Sequence, residues 1–190
     1  MRIGILGGTF NPIHKGHIYL AKQALKELNL DKVIFVPSKV TPLRDKKEII
    51  DSEERFRLVQ LAIEDNDKFE VSSYEIDKGG ISYTIDTLKA FRDKFDNKTE
   101  LFFITGSDVA DELDKWKDFN NICNISNFVI ARRPNFKVPE TDKDIITFDI
   151  DALDISSSEV RRKIKNNENF KDLVPDKVYQ YIKKKGIYKD

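Results

Sequence analysis

Short apolar runs recur along the chain at intervals that leave room for helices between them. The clearest runs are Ile3–Leu6, Val33–Val36, Leu101–Ile104 and Phe128–Ala131, with a shorter one at Ile145–Phe148. Runs that are apolar at every position are typical of strands buried on both faces of a parallel sheet. A further strand-like region covers Phe69–Ile76. The pattern therefore predicts six strands.

Between these runs, apolar residues recur every three or four positions, as on one face of a helix. One such face is formed by Leu20, Ala21, Ala24, Leu25 and Leu28. Another helix is predicted from Asp51, a capping residue that is followed by two glutamates. Further helices are expected through Ile85–Phe91 and from about Ser157 and Pro175.

Alternating strands and helices favour an α/β fold. We expect one domain over residues 1–190: a doubly wound, Rossmann-like parallel sheet flanked by helices. The C-terminal helices, from about residue 156, should pack on the same sheet. In such folds ligands bind beyond the carboxyl ends of the strands, where the strand order reverses. The segments directly after each strand, namely 7–17, 38–47, 106–108, 132–133 and the turn before Ser157, are therefore the candidate site.

Composition narrows the classes of partner. Lys plus Arg and Asp plus Glu both number 33, so the net charge is zero. This argues against nucleic acid or a membrane surface as the main partner. The single cysteine, Cys123, excludes an intrachain disulfide. No apolar run approaches the roughly 20 residues of a membrane span, and Met1–Leu6 enters a strand without a signal-peptide pattern. We expect a cytoplasmic protein.

The first strand is followed by a glycine pair and by the only two histidines of the chain, His14 and His17. The segment matches neither the Rossmann nor the P-loop glycine spacing. Paired glycines still expose N–H groups to an anion, and the next helix points its positive end there. Two imidazoles on one face of that helix suit a polyphosphate. The alternatives are incidental surface histidines or metal ligands. A catalytic zinc site would require a third ligand, so no metal site of the protein's own is predicted.

Two segments resemble the characteristic sequence motifs of the nucleotidyltransferase superfamily. Gly8–Pro12 followed by His14-Lys15-Gly16-His17 is similar to its [HT]-x-G-H element, and Ile155–Arg161 matches I-S-S-x-x-[VIL]-R. Within the superfamily the chain is most similar to bacterial nicotinate-nucleotide adenylyltransferases. The points of similarity are Gly7–Pro12, Ser82–Leu88, Gly106-Ser107-Asp108 with Trp116 downstream, and Arg133-Pro134. The resemblance covers residues 3 to about 165.

The resemblance implies a role for each matching residue. His14, His17 and Arg161 would be catalytic, and Ser156 and Ser157 would bind the triphosphate with Arg161. The remaining substrate-binding residues would be Gly8, Thr9, Phe10, Lys39, Arg44, Thr84, Gly106, Asp108, Trp116 and Arg133. Trp116 would stack on a pyridine ring, Thr84 would hold its carboxylate, and Asp108 would accept hydrogen bonds from a ribose. Leu43 stands where the family usually has histidine.

Structural roles also explain several of these residues. Ser156 and Glu159 form a capping-box pattern, and Ser107 or Asp108 could cap a helix. Lys39 and Arg44 could belong to a solvated basic loop, and Trp116 could be a half-buried packing residue.

The resemblance further implies adenylyl transfer from ATP to nicotinate mononucleotide, with release of pyrophosphate, in NAD biosynthesis. Direct in-line attack is expected, with Mg²⁺ carried by the ATP phosphates. Two alternatives stay open: another nucleotidyltransferase, such as a phosphopantetheine adenylyltransferase, and a non-catalytic nucleotide-binding module. Nucleic acid and membrane are not expected as partners, and the sequence leaves a homo-oligomer open.

Overall fold

A computed structural model gives the architecture of the chain. It describes residues 1–40, 49–107, 113, 115–133, 143–151 and 154–189. Two predicted substrate-binding residues, Arg44 and Asp108, lie outside the described residues, as does Leu43. Among the described residues, no helix combines the length and apolar character that crossing a bilayer requires.

Six parallel strands form one sheet in the order β3-β2-β1-β4-β5-β6. They are β1 (Arg2–Gly8), β2 (Lys32–Pro37), β3 (Phe69–Val71), β4 (Glu100–Gly106), β5 (Asn127–Arg132) and β6 (Ile145–Asp149). The order reverses between β1 and β4, which lie side by side at the centre of the sheet. The predicted doubly wound α/β fold is confirmed, and the reversal places the expected ligand position beyond the carboxyl ends of β1 and β4.

Both faces of the sheet are covered by helices. The helices are α1 (Lys15–Glu27), α2 (Ser52–Ile63), α3 (Tyr74–Lys78), α4 (Thr84–Lys94), α5 (Phe119–Ile125), α6 (Ser157–Lys165) and α7 (Asp176–Lys185), with a 3-10 turn at Lys171–Leu173. Successive strand residues enter opposite cores: Phe35 packs with the side chains of α1, α2, α6 and α7, whereas Ile34 packs with those of α4 and α5. This alternation explains why the strands are apolar at consecutive positions.

The prediction for the third strand was wrong in its extent. Strand β3 ends at Val71, and the chain turns at Ser72 and Ser73 into α3. The Ser72 hydroxyl accepts a hydrogen bond from the Tyr74 N–H, and the Ser73 hydroxyl donates to Asp77. Short serine side chains compete with strand pairing in this way. Ile76 is buried, but it belongs to α3 and not to a strand. Helices α3 and α5 were not predicted, because each is too short to show a helical period.

Candidate active site

A cavity of about 510 Å³ opens at the carboxyl edge of the sheet. Its wall takes residues from the β1–α1 turn, from the start of α4, from the ends of β4 and β5, and from the start of α6. The structure brings eleven of the fifteen predicted site residues onto this wall: Gly8, Thr9, Phe10, His14, His17, Thr84, Gly106, Trp116, Arg133, Ser156 and Ser157.

Gly8 and Phe10 shape the floor of the turn after β1. Phe10 has a positive φ of 48° and is buried, and its ring folds back over Gly8. A Cβ on Gly8 would lie 2.9 Å from that ring, closer than packed carbon atoms approach. The ring also meets His17 edge-on at 5.1 Å between centroids. Glycine at position 8 is therefore required by the packing of Phe10, and Phe10 supports one of the two histidines.

The two histidines stack on each other at the start of α1, with ring centroids 3.7 Å apart. The backbone N–H of His14, the residue that precedes the helix, donates to Nδ1 of His17 at 3.2 Å. Accepting at Nδ1 places the proton of a neutral His17 on Nε2, so this atom is a donor. The backbone of one histidine thus orients the ring of the other.

His14 is only 7% exposed, and its Nδ1 has no hydrogen-bond partner among the described residues. Burial, together with the smaller effect of the nearby positive charge of Arg133, lowers the pKa of His14 from 6.5 to about 4. His14 is therefore neutral at pH 7 and presents a desolvated imidazole to the cavity. Gly16 makes room for it, since a Cβ there would lie 3.0 Å from Nδ1 of His14.

The start of α6 is attached directly to the β1–α1 turn. The Ser157 hydroxyl donates to the Pro12 carbonyl at 2.9 Å, and Nη1 of Arg161 donates to the Asn11 carbonyl at 2.9 Å. The Ser156 hydroxyl accepts from the Glu159 N–H at 3.1 Å, which is one half of the predicted capping box. Arg161 does not form part of the cavity wall. Its bond to Asn11 reaches the turn, and so the two sequence motifs meet although about 140 residues separate them.

The aromatic end of the cavity is the part of its wall formed by Tyr83, Phe103 and Trp116. Trp116 is half-buried and packs edge-on against Phe103 and Phe128, at 5.6 and 5.7 Å between centroids. Its indole Nε1 has no hydrogen-bond partner among the described residues. Trp116 therefore both packs against the core and lines the cavity. Beside it, the Lys117 ammonium lies 4.3 Å from the centre of the Tyr83 ring, at the residue that precedes α4.

Lys39 was predicted to bind substrate, but the structure does not bring it to the cavity wall. Its Nζ donates to the Ser52 hydroxyl at 2.8 Å, at the start of α2. This contact holds the ammonium against α2 rather than over the cavity. Arg133, which is exposed, does reach the wall. The predicted roles of Arg44 and Asp108 fall outside the described residues.

Sequence reasoning missed two buried charged residues near the site, Arg55 and Glu75. Arg55 lies on α2, one turn before the buried pair Leu58 and Val59, and a charge on an apolar helix face was the available signal. Glu75 lines the cavity and accepts a hydrogen bond from the Thr87 hydroxyl. Burial raises the pKa of Glu75, and its hydrogen bonds from Thr87 and then Ser82 partly oppose that rise.

Over the part of the chain that the structure describes, no three His, Cys, Asp or Glu side chains are grouped so that they could hold a metal ion. That the protein supplies no metal site of its own stays a prediction.

A comparison with protein families finds the cytidylyltransferase-like family over residues 5–163. The chain is 43% identical to a protein of Clostridium tetani named probable nicotinate-nucleotide adenylyltransferase, over 97% of this chain and 98% of that protein. It is 44% identical to a Clostridium novyi protein of the same name, over 98% of both.

Solved structures agree on the fold. The nicotinic acid mononucleotide adenylyltransferase of Plasmodium falciparum, complexed with NaAD, superposes with a TM-score of 0.78 at 23% identity. The match covers 98% of this chain and 97% of that one. A structure of the same Plasmodium falciparum enzyme complexed with APC gives a TM-score of 0.77 at 22% identity.

Proposed function

The chain belongs to the cytidylyltransferase-like family, as one of its nicotinate-nucleotide adenylyltransferases, and from that premise we propose how its site performs the reaction. The enzyme transfers the adenylyl group of ATP to nicotinate mononucleotide, forming nicotinate adenine dinucleotide and pyrophosphate, a step of NAD biosynthesis. We place the reaction in the cytoplasm, where nucleotides are made and used.

One observation supports this function most directly. The His14–His17 turn and the Ser156–Arg161 segment, the two phosphate-binding motifs, border one cavity and are joined by the bonds from Ser157 to Pro12 and from Arg161 to Asn11. Neither motif alone would surround a triphosphate. Joined, they supply helix N-termini, hydroxyls and imidazoles around the same volume, with the Arg161 guanidinium bonded to the turn behind them, which is the chemistry that a polyphosphate requires.

The 5′-phosphate of nicotinate mononucleotide attacks the α-phosphorus of ATP in line with the departing pyrophosphate. The attacking monoester is largely dianionic at neutral pH, since its second pKa is about 6, so no general base is needed. The site has to align two anions and stabilise charge on the α-phosphoryl and pyrophosphate oxygens. Mg²⁺ enters as part of the substrate MgATP and screens the charge of the leaving pyrophosphate.

We assign charge stabilisation to His14, His17 and Arg161. Because Nδ1 of His17 accepts from the His14 N–H, Nε2 carries the proton of the neutral ring, and we assign it as a donor to an α-phosphoryl or bridging oxygen. His14 is uncharged at pH 7 and can contact a phosphate as a neutral donor, with its proton on the nitrogen that faces the ligand. The Arg161 guanidinium would supply a full positive charge at the α6 side of the turn.

The aromatic end of the cavity is assigned to the nicotinate mononucleotide. Trp116 offers a ring for stacking. Thr84 begins α4, whose N-terminal N–H groups favour an anion. Lys117 lies at the same wall and adds positive charge there. This combination favours the carboxylate of nicotinate over the neutral amide of nicotinamide.

The test is pyrophosphate release from MgATP with nicotinate mononucleotide, nicotinamide mononucleotide or phosphopantetheine offered in turn. We expect release with nicotinate mononucleotide and a much lower kcat/KM with the amide. Release with phosphopantetheine alone would favour a different nucleotidyltransferase. Release with none of the three would favour a non-catalytic nucleotide-binding module, and either result would overturn the proposal.

A further inference from the structure

Arg55 is a charged residue inside the protein core. Its side chain is only 1% exposed, and it lies on the inner face of α2 among apolar residues. Its guanidinium donates to four backbone carbonyls: to Thr9 and Ser38 at 2.6 Å, to Ile50 at 3.2 Å and to Lys39 at 3.3 Å. Among the described residues, no carboxylate lies within ion-pair distance of Arg55. A buried arginine whose donors all go to main-chain carbonyls fixes the path of the backbone.

The four carbonyls belong to the segments that follow the two neighbouring strands β1 and β2. Thr9 lies in the turn that leads to the two histidines, and Ser38 and Lys39 begin the segment after β2. Two backbone N–H groups reinforce the connection: that of Ser38 donates to the Gly8 carbonyl at 3.0 Å, and that of Ile50 donates to Oδ1 of Asn11 at 3.3 Å. Arg55 therefore occupies the point where the two segments approach each other.

The geometry of the guanidinium explains how it acts. Its donors lie in one plane at fixed angles, and so it holds several acceptors at a set spacing, which a lysine ammonium on a flexible stem cannot do. Arg55 is absent from the cavity wall, whereas Thr9 and Ser38 are part of it. The Thr9 oxygen is thus bonded on the buried side of the turn, which keeps the negative end of this peptide dipole away from the phosphate position.

We propose that Arg55 is a positioning residue for the triphosphate: by bonding the carbonyls of Thr9 and Ser38 it sets the distance between the two loop segments that border the phosphate end of the cavity. It does not touch substrate. This inference rests on the proposed function, because it identifies which buried group prepares the site for ATP.

The first test is Arg55→Lys, with Arg57→Lys as its matched control. Arg57 lies on the same helix, is exposed and donates only to Gln60 at 3.3 Å among its described bonds. Lysine at position 55 keeps the charge and loses the planar donor set. We expect kcat/KM for MgATP to fall by about 10²-fold, the effect of a displacement near 1 Å. The KM for nicotinate mononucleotide should change less, since none of the four bonds of Arg55 goes to Thr84, Trp116 or Lys117. Arg57→Lys should behave as the wild type.

The second test separates positioning from a purely structural role. Arg55→Ala leaves a space of guanidinium shape, and guanidinium chloride at concentrations well below those that unfold proteins should restore part of its activity. Neither the wild type nor the Arg57→Lys variant should be activated by it. Circular dichroism and the unfolding midpoint are measured in parallel. If Arg55→Ala does not fold, the kinetics of Arg55→Lys decide the matter.

The possible results of these tests distinguish a failure of this inference from a failure of the proposed function. A wild-type enzyme that releases no pyrophosphate with nicotinate mononucleotide overturns the function itself. With an active wild type, an unchanged kcat/KM for MgATP in folded Arg55→Lys overturns the role of Arg55 alone. An equal rise in the KM for both substrates would also overturn the role of Arg55, because it would indicate a general loss of structure. So would a folded Arg55→Ala variant that guanidinium does not activate.

Discussion

His14 and His17 are identical side chains three residues apart, and the structure gives them different properties. His14 is buried beside Arg133 with its pKa lowered to about 4, whereas His17 is partly exposed and is oriented through its Nδ1. The sequence places both at the start of one helix. Which of them is desolvated depends on Gly16 and on the Phe10 ring, which pack around them.

His17→Ala tests the role of the oriented imidazole. We expect kcat to fall by roughly 10²–10³-fold, the usual loss for one donor to transition-state charge. The change is measured by steady-state pyrophosphate release, with circular dichroism to check the fold. Lys22→Ala, on the exposed side of the same helix, should leave kcat unchanged. Near-normal turnover in His17→Ala would rule out this role.

His14→Asn tests the desolvation of the other imidazole. The folded pKa of His14, about 4, lies below its ordinary value of 6.5, so the unfolded chain binds the extra proton between these values. Its contribution to stability is present above pH 6.5 and is lost as the pH falls toward 4. Between pH 7 and pH 4, the wild type should lose about 3 kcal/mol more unfolding free energy than His14→Asn, at 1.36 kcal/mol per pKa unit. Denaturant titrations that give equal losses would contradict this.

At the scale of elements, the site depends on how α6 is attached to the β1–α1 turn. The N-terminal cap of α6 was readable from the sequence, because Ser156 and Glu159 have the spacing of a capping box. The bonds from Ser157 to Pro12 and from Arg161 to Asn11 were not readable, because they join segments about 145 residues apart. They fix the start of α6 against the β1–α1 turn.

Ser157→Ala removes one of these attachments, and Ser126→Ala is its matched control. Each serine hydroxyl donates to a backbone carbonyl, at 2.9 Å to Pro12 and at 2.8 Å to Ile122. Ser126 precedes β5, at the amino edge of the sheet, and is not part of the cavity wall. Both variants should lose about 1 kcal/mol of unfolding free energy, the net value of one hydrogen bond. Only Ser157→Ala should also raise the KM for MgATP, and equal KM values in the two variants would disprove the attachment's role in binding.

At the scale of the whole molecule, a neutral protein holds a locally basic cavity. Positive groups in and around the site include Arg133, Lys117 and Arg161, together with the N-termini of α1 and α6. One expectation of the sequence changes here, because Lys39 is turned toward Ser52. The structure adds that His14 carries no charge at pH 7. The attraction for a polyanion thus comes from fewer side chains than the sequence indicated and more from oriented backbone.

The cavity wall draws on segments from Ile5 to Ser158, and the unfolded chain therefore has no binding site. Ligand binding should stabilise the fold by mass action. MgATP at about 100 times its Kd is expected to raise the unfolding free energy by about 2.7 kcal/mol. Denaturant titration with and without MgATP measures this, with adenosine as a control that lacks phosphates. An unchanged unfolding curve at saturating MgATP would argue against a preformed site.

The sequence by itself determined the strands and the main helices, and it predicted the place of the site. Apolar runs such as Val33–Val36 can be satisfied only by burial on both faces, and this favours a parallel sheet with ligands at its carboxyl edge. Motif spacing identified the family, and the comparisons confirm it. These properties are local in sequence. The predicted extent of β3 was wrong, because the hydrogen bonds of the Ser72 and Ser73 hydroxyls favour a turn over a weak strand pattern.

Only the tertiary structure decided which polar side chains are buried and with which groups they form hydrogen bonds. It removed Arg55 from solvent, turned Lys39 away from the cavity and placed Trp116 between the core and the cavity. It also joined Ser157 to Pro12. The physical reason is that a pKa, a desolvation cost or a long-range hydrogen bond depends on neighbours from distant segments, which no local pattern specifies.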